Sequence, residues 1–218
     1  MPFTDTIDDV AALRQHYFVN PTIDRKVVDR IDDGAREFIA TSPFAVVATN
    51  GPAGTDASPR GGPPGFVAVL DEHRIALGDL AGNRKLDTFE NVLANPEVGL
   101  IFFIPGLGET MRVNGRASLT TAPDVLAACA YEGFEPEVAL GIDVREVYIH
   151  CAKALRRSRL WDPATWPDAD GRPRPAQILK GHLELDVDPD LIEADLEKNY
   201  VETIWEAGGI DPVAKPAS

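Results

Sequence analysis

Acidic side chains outnumber basic ones in this chain, 35 Asp and Glu against 21 Lys and Arg. A cationic segment without acidic neighbours therefore repels itself until an anion compensates it. Three such segments stand out. In Ser58-Pro59-Arg60-Gly61-Gly62-Pro63-Pro64-Gly65 the glycines expose backbone N–H groups, while Ser58 and Arg60 add a hydroxyl and a guanidinium fork suited to phosphate oxygens. The same composition also reads as a plain Pro/Gly turn. Gly82-Asn83-Arg84-Lys85 follows a strand-like run and opens a helical one, so the helix macrodipole adds to its cations. In the third, Lys153-Ala-Leu-Arg156-Arg157-Ser158-Arg159-Leu-Trp161, no acid falls between Glu146 and Asp162. An aromatic beside arginines suits a ligand with a ring and a phosphate, although a solvated basic helix end has the same pattern.

Other chemistries lack their residues. The glycines fit neither a Walker loop nor a dinucleotide fingerprint, and Gly106-Leu-Gly108-Glu-Thr-Met111 fails at the third glycine. No G-x-S-x-G elbow or H-E-x-x-H helix occurs, and His16, His73, His150 and His182 show no ligand spacing, so no metal site is expected. His150 and Cys151 are neighbours on a strand and point to opposite faces, so Cys151 reads as a buried structural thiol rather than a nucleophile. Cys129 and Cys151 form no C-x-x-C pair and imply a reducing compartment. A net charge of −14 disfavours nonspecific nucleic-acid and anionic-membrane partners. The N-terminus has no basic n-region, and no window approaches ~18 apolar residues, so a cytoplasmic protein without leader or span is expected.

The elements that must position these segments form an α+β fold. Residues 1–42 read as a helical extension, with Val27, Val28, Ile31, Ala35, Phe38 and Ile39 on one face. Six strands follow, at 44–49, 66–70, 74–77, 98–104, 109–119 and 139–150. Their short connections, Asp71-Glu-His73 and Pro105-Gly-Leu-Gly108, allow hairpins but not parallel crossovers, so a six-stranded antiparallel barrel is expected. Helices at 86–95 and 123–131 interrupt the strands. Val98-Gly-Leu-Ile-Phe-Phe-Ile104 is apolar on both faces, so its outer face requires a helix or a second subunit. Asp188 and Pro189 open a last helix with Ile192, Leu196 and Tyr200 on one face, expected to pack on the barrel or a dimer partner. Residues 166–218 are an acidic segment of the same domain as the 43–165 core; from 176 onward they hold 10 acids and 3 bases.

Taken jointly, Ser58-Pro-Arg-Gly61, Pro64-Gly-Phe66, Gly82-Asn83, Asn95-Pro96, Gly108-Glu-Thr110, Arg112-Val-Asn-Gly-Arg116, His150-Cys151 and Leu160-Trp161 resemble the pyridoxamine 5'-phosphate oxidase-like flavoproteins with an FMN-binding split barrel. The resemblance implies a homodimer with two FMN molecules in clefts at the subunit interface. It further implies that Ser58, Arg60 and Lys85 lie at the FMN phosphate, in a cofactor-binding set that includes Pro59 and Gly61, with Asn83 nearby and Thr110 near the isoalloxazine edge; Arg84, a departure from the subgroup, either adds a phosphate contact or faces solvent. Arg157, Ser158 and Trp161 fall in a stretch expected near the cofactor. The related subgroup often has Asp where this chain has Gly62 and Asn where it has Arg84. The C-terminal Arg-rich substrate segment of true pyridoxine-phosphate oxidases is missing, which speaks against vitamin B6 oxidation. The expectation is an FMN-dependent oxidoreductase of a small molecule. The alternatives are a binding module for flavin, haem or deazaflavin and a dimeric interaction protein.

Overall fold

Three polar residues in extended backbone open the first helices. Asp9 caps α1 (Val10–His16), Asn20 caps α2 (Pro21–Asp24) and Asp32 caps α3 (Asp33–Thr41), each accepting a backbone N–H with its side-chain oxygen. The computed structural model describes residues 3–18, 20–80, 82, 85–131, 133–202 and 204. Only α3 of these helices buries a face, through Ala35, Phe38 and Ile39. The expected single helical stripe therefore divides. Because Asp32 takes the cap position, Val27, Val28 and Ile31 precede the helix in non-helical backbone, and Val28 exchanges two backbone hydrogen bonds with Val147, at 3.0 and 2.7 Å.

Among the described residues the sheet has seven strands rather than six: β1 (Phe44–Gly51), β2 (Gly54–Gly61), β3 (Val67–Val69), β4 (Arg74–Gly78), β5 (Glu97–Phe103), β6 (Thr110–Thr120) and β7 (Ala139–His150). All pairings are antiparallel, in the order β2-β1-β5-β6-β7-β4-β3. The additional strand is β2, whose Ser-Pro-Arg-Gly sequence resembles a turn. It is a strand because it lies at the sheet edge, where Pro59 opposes Val46 without having to supply a central ladder bond. Gly54, at φ 118°, closes the tight β1–β2 hairpin.

Inner-face residues Val47, Leu100, Phe102, Val113, Ile142 and Val147 fill one core with Ile39 of α3. Helix α4 (Asp87–Ala94) adds Val92 to that core. Helix α5 (Pro123–Ala128) ends earlier than its pattern predicts, with Cys129 as its C-cap, and covers the opposite side of β4, where Ala76, Cys129 and Ala139 form a second cluster. The result is a curled antiparallel sheet, a split barrel with flanking helices.

After β7 come α6 (Lys153–Ser158), α7 (Pro175–His182) and α8 (Pro189–Glu202). The principal packing partner of α8 is α7 rather than the sheet, with Ile192 and Leu196 half-buried and Tyr200 exposed. Arg174 links the pair through Asp190, at 2.6 Å, and Glu193. Cys151 is exposed just beyond β7, not buried, because the strand ends at His150. Among the described residues no helix is long and apolar enough to cross a membrane.

Candidate functional site

Alternation along β2 sets the site. Ser58 and Arg60 oppose Val47 and Ala45, both fully buried, so hydroxyl and guanidinium share the inner face while Pro59 turns outward. The sheet curls until this edge meets the other one. Ser58, Pro59, Arg60 and Gly61 then line a cleft of about 260 Å³ with Phe66, Leu77, Gly78, Leu80, Gly82 and Lys85. One wall is apolar and the other carries the cations. A Cβ on Gly62 would stand 2.6 Å from Cβ of Phe66, so the glycine lets Phe66 close the cleft floor.

Helix α4 braces the cationic wall. Arg60 donates from Nη2 to Oγ1 of Thr88 at 3.0 Å, and Asn91 donates to Oγ1 of Thr49 at 3.0 Å; Thr88, Asn91 and Thr49 are all buried. Burial lowers the Arg60 pKa below its ordinary value, while Asp79 and Asp56 pull it back up. Burial likewise raises the Asp79 carboxyl above its ordinary value, opposed by Arg60. Lys85 pairs with Asp87, which raises its pKa.

The first two cationic segments thus converge, as far as they are described; Asn83 and Arg84 lie outside the described residues. The third lies elsewhere on the protomer. A separate cleft of about 390 Å³ is lined by Gly106, Gly108, Leu155, Arg156, Arg159, Trp161 and Asp162. Trp161 donates from Nε1 to the Leu107 carbonyl at 2.8 Å, and Arg159 pairs with Asp162 at 2.6 Å. Arg157 and Ser158 are exposed outside that lining, and the Ser158 hydroxyl donates back to the Leu155 carbonyl. Thr110 is buried at the start of β6, opposite His150. Arg112 stacks on Tyr148, 5.2 Å from the ring centroid.

Sequence reasoning missed Asp79, Thr88 and the apolar wall of Phe66, Leu77 and Leu80. Phe66 and Leu77 read as ordinary strand residues, and Asp79 and Leu80 fall in a connection that carries no motif. No local pattern distinguishes them. On the convex side Phe44 opposes Phe103 and Val46 opposes Ile101, with the phenyl centroids 5.9 Å apart and Phe44 40% exposed. Both α3 and α4 contribute to the core on the other side.

The family model described as pyridoxamine 5'-phosphate oxidase matches residues 31–151, more than half of the chain. No curated protein matches. Similar solved structures include HupZ of Group A Streptococcus, 17% identical, with 55% of this chain and 93% of that one covered at a TM-score of 0.46. A candidate pyridoxamine 5'-phosphate oxidase of Lactobacillus delbrueckii is 18% identical, with 56% and 95% covered at 0.43. One of Listeria innocua is 16% identical, with 54% and 95% covered at 0.42.

Proposed function

The chain belongs to the pyridoxamine 5'-phosphate oxidase family, and on that premise we propose that it holds FMN by its phosphate in the Arg60 cleft and acts as an FMN-dependent oxidoreductase on a small molecule. The observation that carries the proposal is the convergence of Ser58, Arg60 and Lys85 from separate segments on one cleft at the seam of the sheet. Hydroxyl, guanidinium and ammonium are the donor set a phosphate takes. At about 260 Å³ the cleft falls below the ~300–1,000 Å³ of sites that enclose a whole drug-sized ligand, so it suits the phosphate end and leaves the ring outside.

A second copy of the chain, seated on the convex face around Phe44, Ile101 and Phe103, would cover the ring. Thr110, Arg157, Ser158 and Trp161 are then the candidates to meet it in the dimer. Bound flavin supplies the electron transfer. The chain's own residues bind the phosphate, fix its orientation through the Arg60–Thr88 brace and exclude water with Phe66 and Leu80. The two free thiols, Cys129 and Cys151, support a reducing compartment such as the cytoplasm. An absorbance spectrum from about 300 to 700 nm, with mass spectrometry of whatever heat releases, tests the assignment. Flavin bands and free FMN are expected; a colourless protein that ignores added FMN overturns it.

A further inference from the structure

The third cationic segment builds a cleft of its own. It lies between α6 and the β5–β6 connection, shares no lining residue with the Arg60 cleft, and measures about 390 Å³, within the ~300–1,000 Å³ of sites that take small ligands. Two backbone features shape it. A Cβ on Gly108 would stand 2.8 Å from that of Ala152, so the glycine lets the connection close on α6, with Arg156 Nε 3.6 Å from the same point. Arg159 caps α6 in the left-handed conformation, at φ 52°, which is uncommon for a residue with a side chain, and the chain then turns back so that Trp161 lines the same cleft.

The polar groups around the cleft are already engaged, with one exception. Arg159 donates from Nε and Nη2 to Oδ2 of Asp162, at 3.2 and 2.6 Å, and the other carboxylate oxygen of Asp162 accepts from the Ala164 N–H at 3.1 Å. Trp161 donates its Nε1–H to the Leu107 carbonyl, so what the indole still offers is its ring. The guanidinium of Arg156 has no hydrogen bond or ion pair to a described residue. Two arginines against one aspartate thus leave a single positive charge, on Arg156.

We propose that this cleft is a second binding site, for an aromatic carboxylate whose ring packs on Trp161 and Leu155 while its carboxylate takes the fork of Arg156. A carboxylate matches a guanidinium with two parallel bonds and brings the one negative charge that the cleft lacks. A phosphate dianion would exceed that charge and face Asp162, so these arginines do not make a second phosphate site. The binding rests on this cleft alone. That the bound carboxylate is the small molecule of the oxidoreductase rests on the function proposed above, in which Trp161 also meets the flavin ring.

The test follows the Trp161 indole N–H in ¹⁵N NMR of the full chain as sodium benzoate is added, the signal being assigned among the three tryptophans by Trp161→Phe. Benzoate is expected to shift it saturably. Benzamide, which keeps the ring and loses the charge, should bind roughly tenfold more weakly. Cyclohexanecarboxylate, which keeps the charge and loses the ring, should bind roughly threefold more weakly. Arg156→Gln, at an exposed position, should retain the melting temperature and weaken benzoate roughly tenfold or more. Equal binding of benzoate and benzamide, benzoate binding unchanged in Arg156→Gln, or displacement of benzoate by FMN each overturns the site. FMN uptake with no benzoate response also overturns it and leaves the flavin assignment standing. A benzoate response in a protein that takes up no FMN keeps the site and overturns the flavin assignment together with the substrate role.

Discussion

Replacing Arg60 by alanine removes the cation that the cleft is built around. In the ligand-free protein two effects of that change oppose each other. The Thr88 hydroxyl, buried at 3% exposure, loses its 3.0 Å partner, at about 0.5–1.5 kcal/mol. The burial that depresses the Arg60 pKa is relieved at the same time. The free protein should therefore keep its stability to within about 1 kcal/mol. In the complex nothing offsets the loss, because a phosphate would be left without its charge-assisted donor, worth about 1.5–3 kcal/mol. The expected outcome is an FMN dissociation constant raised roughly 10- to 150-fold, measured by calorimetric titration at fixed ionic strength, with the melting temperature of the free variant as control. Arg60→Lys keeps the charge but not the fork and should fall between the two. An Arg60→Ala variant that folds normally and binds FMN within twofold of wild type refutes the cleft as the phosphate site.

A Cβ on Gly115 would stand 2.2 Å from the Asp143 carbonyl oxygen, at the bulge in the β6–β7 register. Gly115→Ala should then cost about 3 kcal/mol or more in urea unfolding, and a near-neutral result refutes the close approach. Ile101→Glu places a charge at the centre of the apolar convex face and should give monomers in equilibrium sedimentation at micromolar concentration, where wild type is expected to be dimeric. A monomeric wild type removes the basis of that assignment. Asp79 binds its proton more tightly folded than unfolded, so its stability contribution is full below the ordinary value of 3.8 and is lost as pH rises through the raised folded value. Asp79→Asn should accordingly raise the melting temperature at pH 7 and leave it unchanged near pH 3; a lower value at pH 7 contradicts the direction of the shift.

Where the sequence was legible, one local force decided the outcome. Strand β5 shows as an unbroken apolar run, β6 and β7 as long strand-forming stretches, Pro96 stops α4 where expected, and Pro123 opens α5. Strand β2 was hidden because its identity depends on position: at an edge Pro59 is tolerated, and in a central strand it would not be. The extension before α3 departs from its pattern because Val28 and Ile31 keep helical spacing while their backbone bonds go elsewhere, to Val147 and Glu72. For the cleft, residue type revealed Ser58, Arg60 and Lys85. Asp79 and Thr88 act through contacts between segments distant in sequence, which no spacing rule encodes.

The split in the barrel and the location of the cleft have a common cause. Among the described residues no backbone ladder joins β2 to β3, although the sheet curls far enough for Gly62 to lie against Phe66 and Leu80. Pro59 can donate no ladder bond, and β3 is only three residues long. Helix α4 stands beside the seam instead and offers Thr88 to Arg60. Had the two edges paired, Ser58 and Arg60 would face a sealed interior, where an isolated guanidinium costs several kcal/mol unless it is paired. A closed barrel would therefore select apolar side chains at both positions. The polar alternation Asp56, Ser58, Arg60 on the inner face is compatible only with an edge that stays open, and an open edge lined by cations is where an anion can enter.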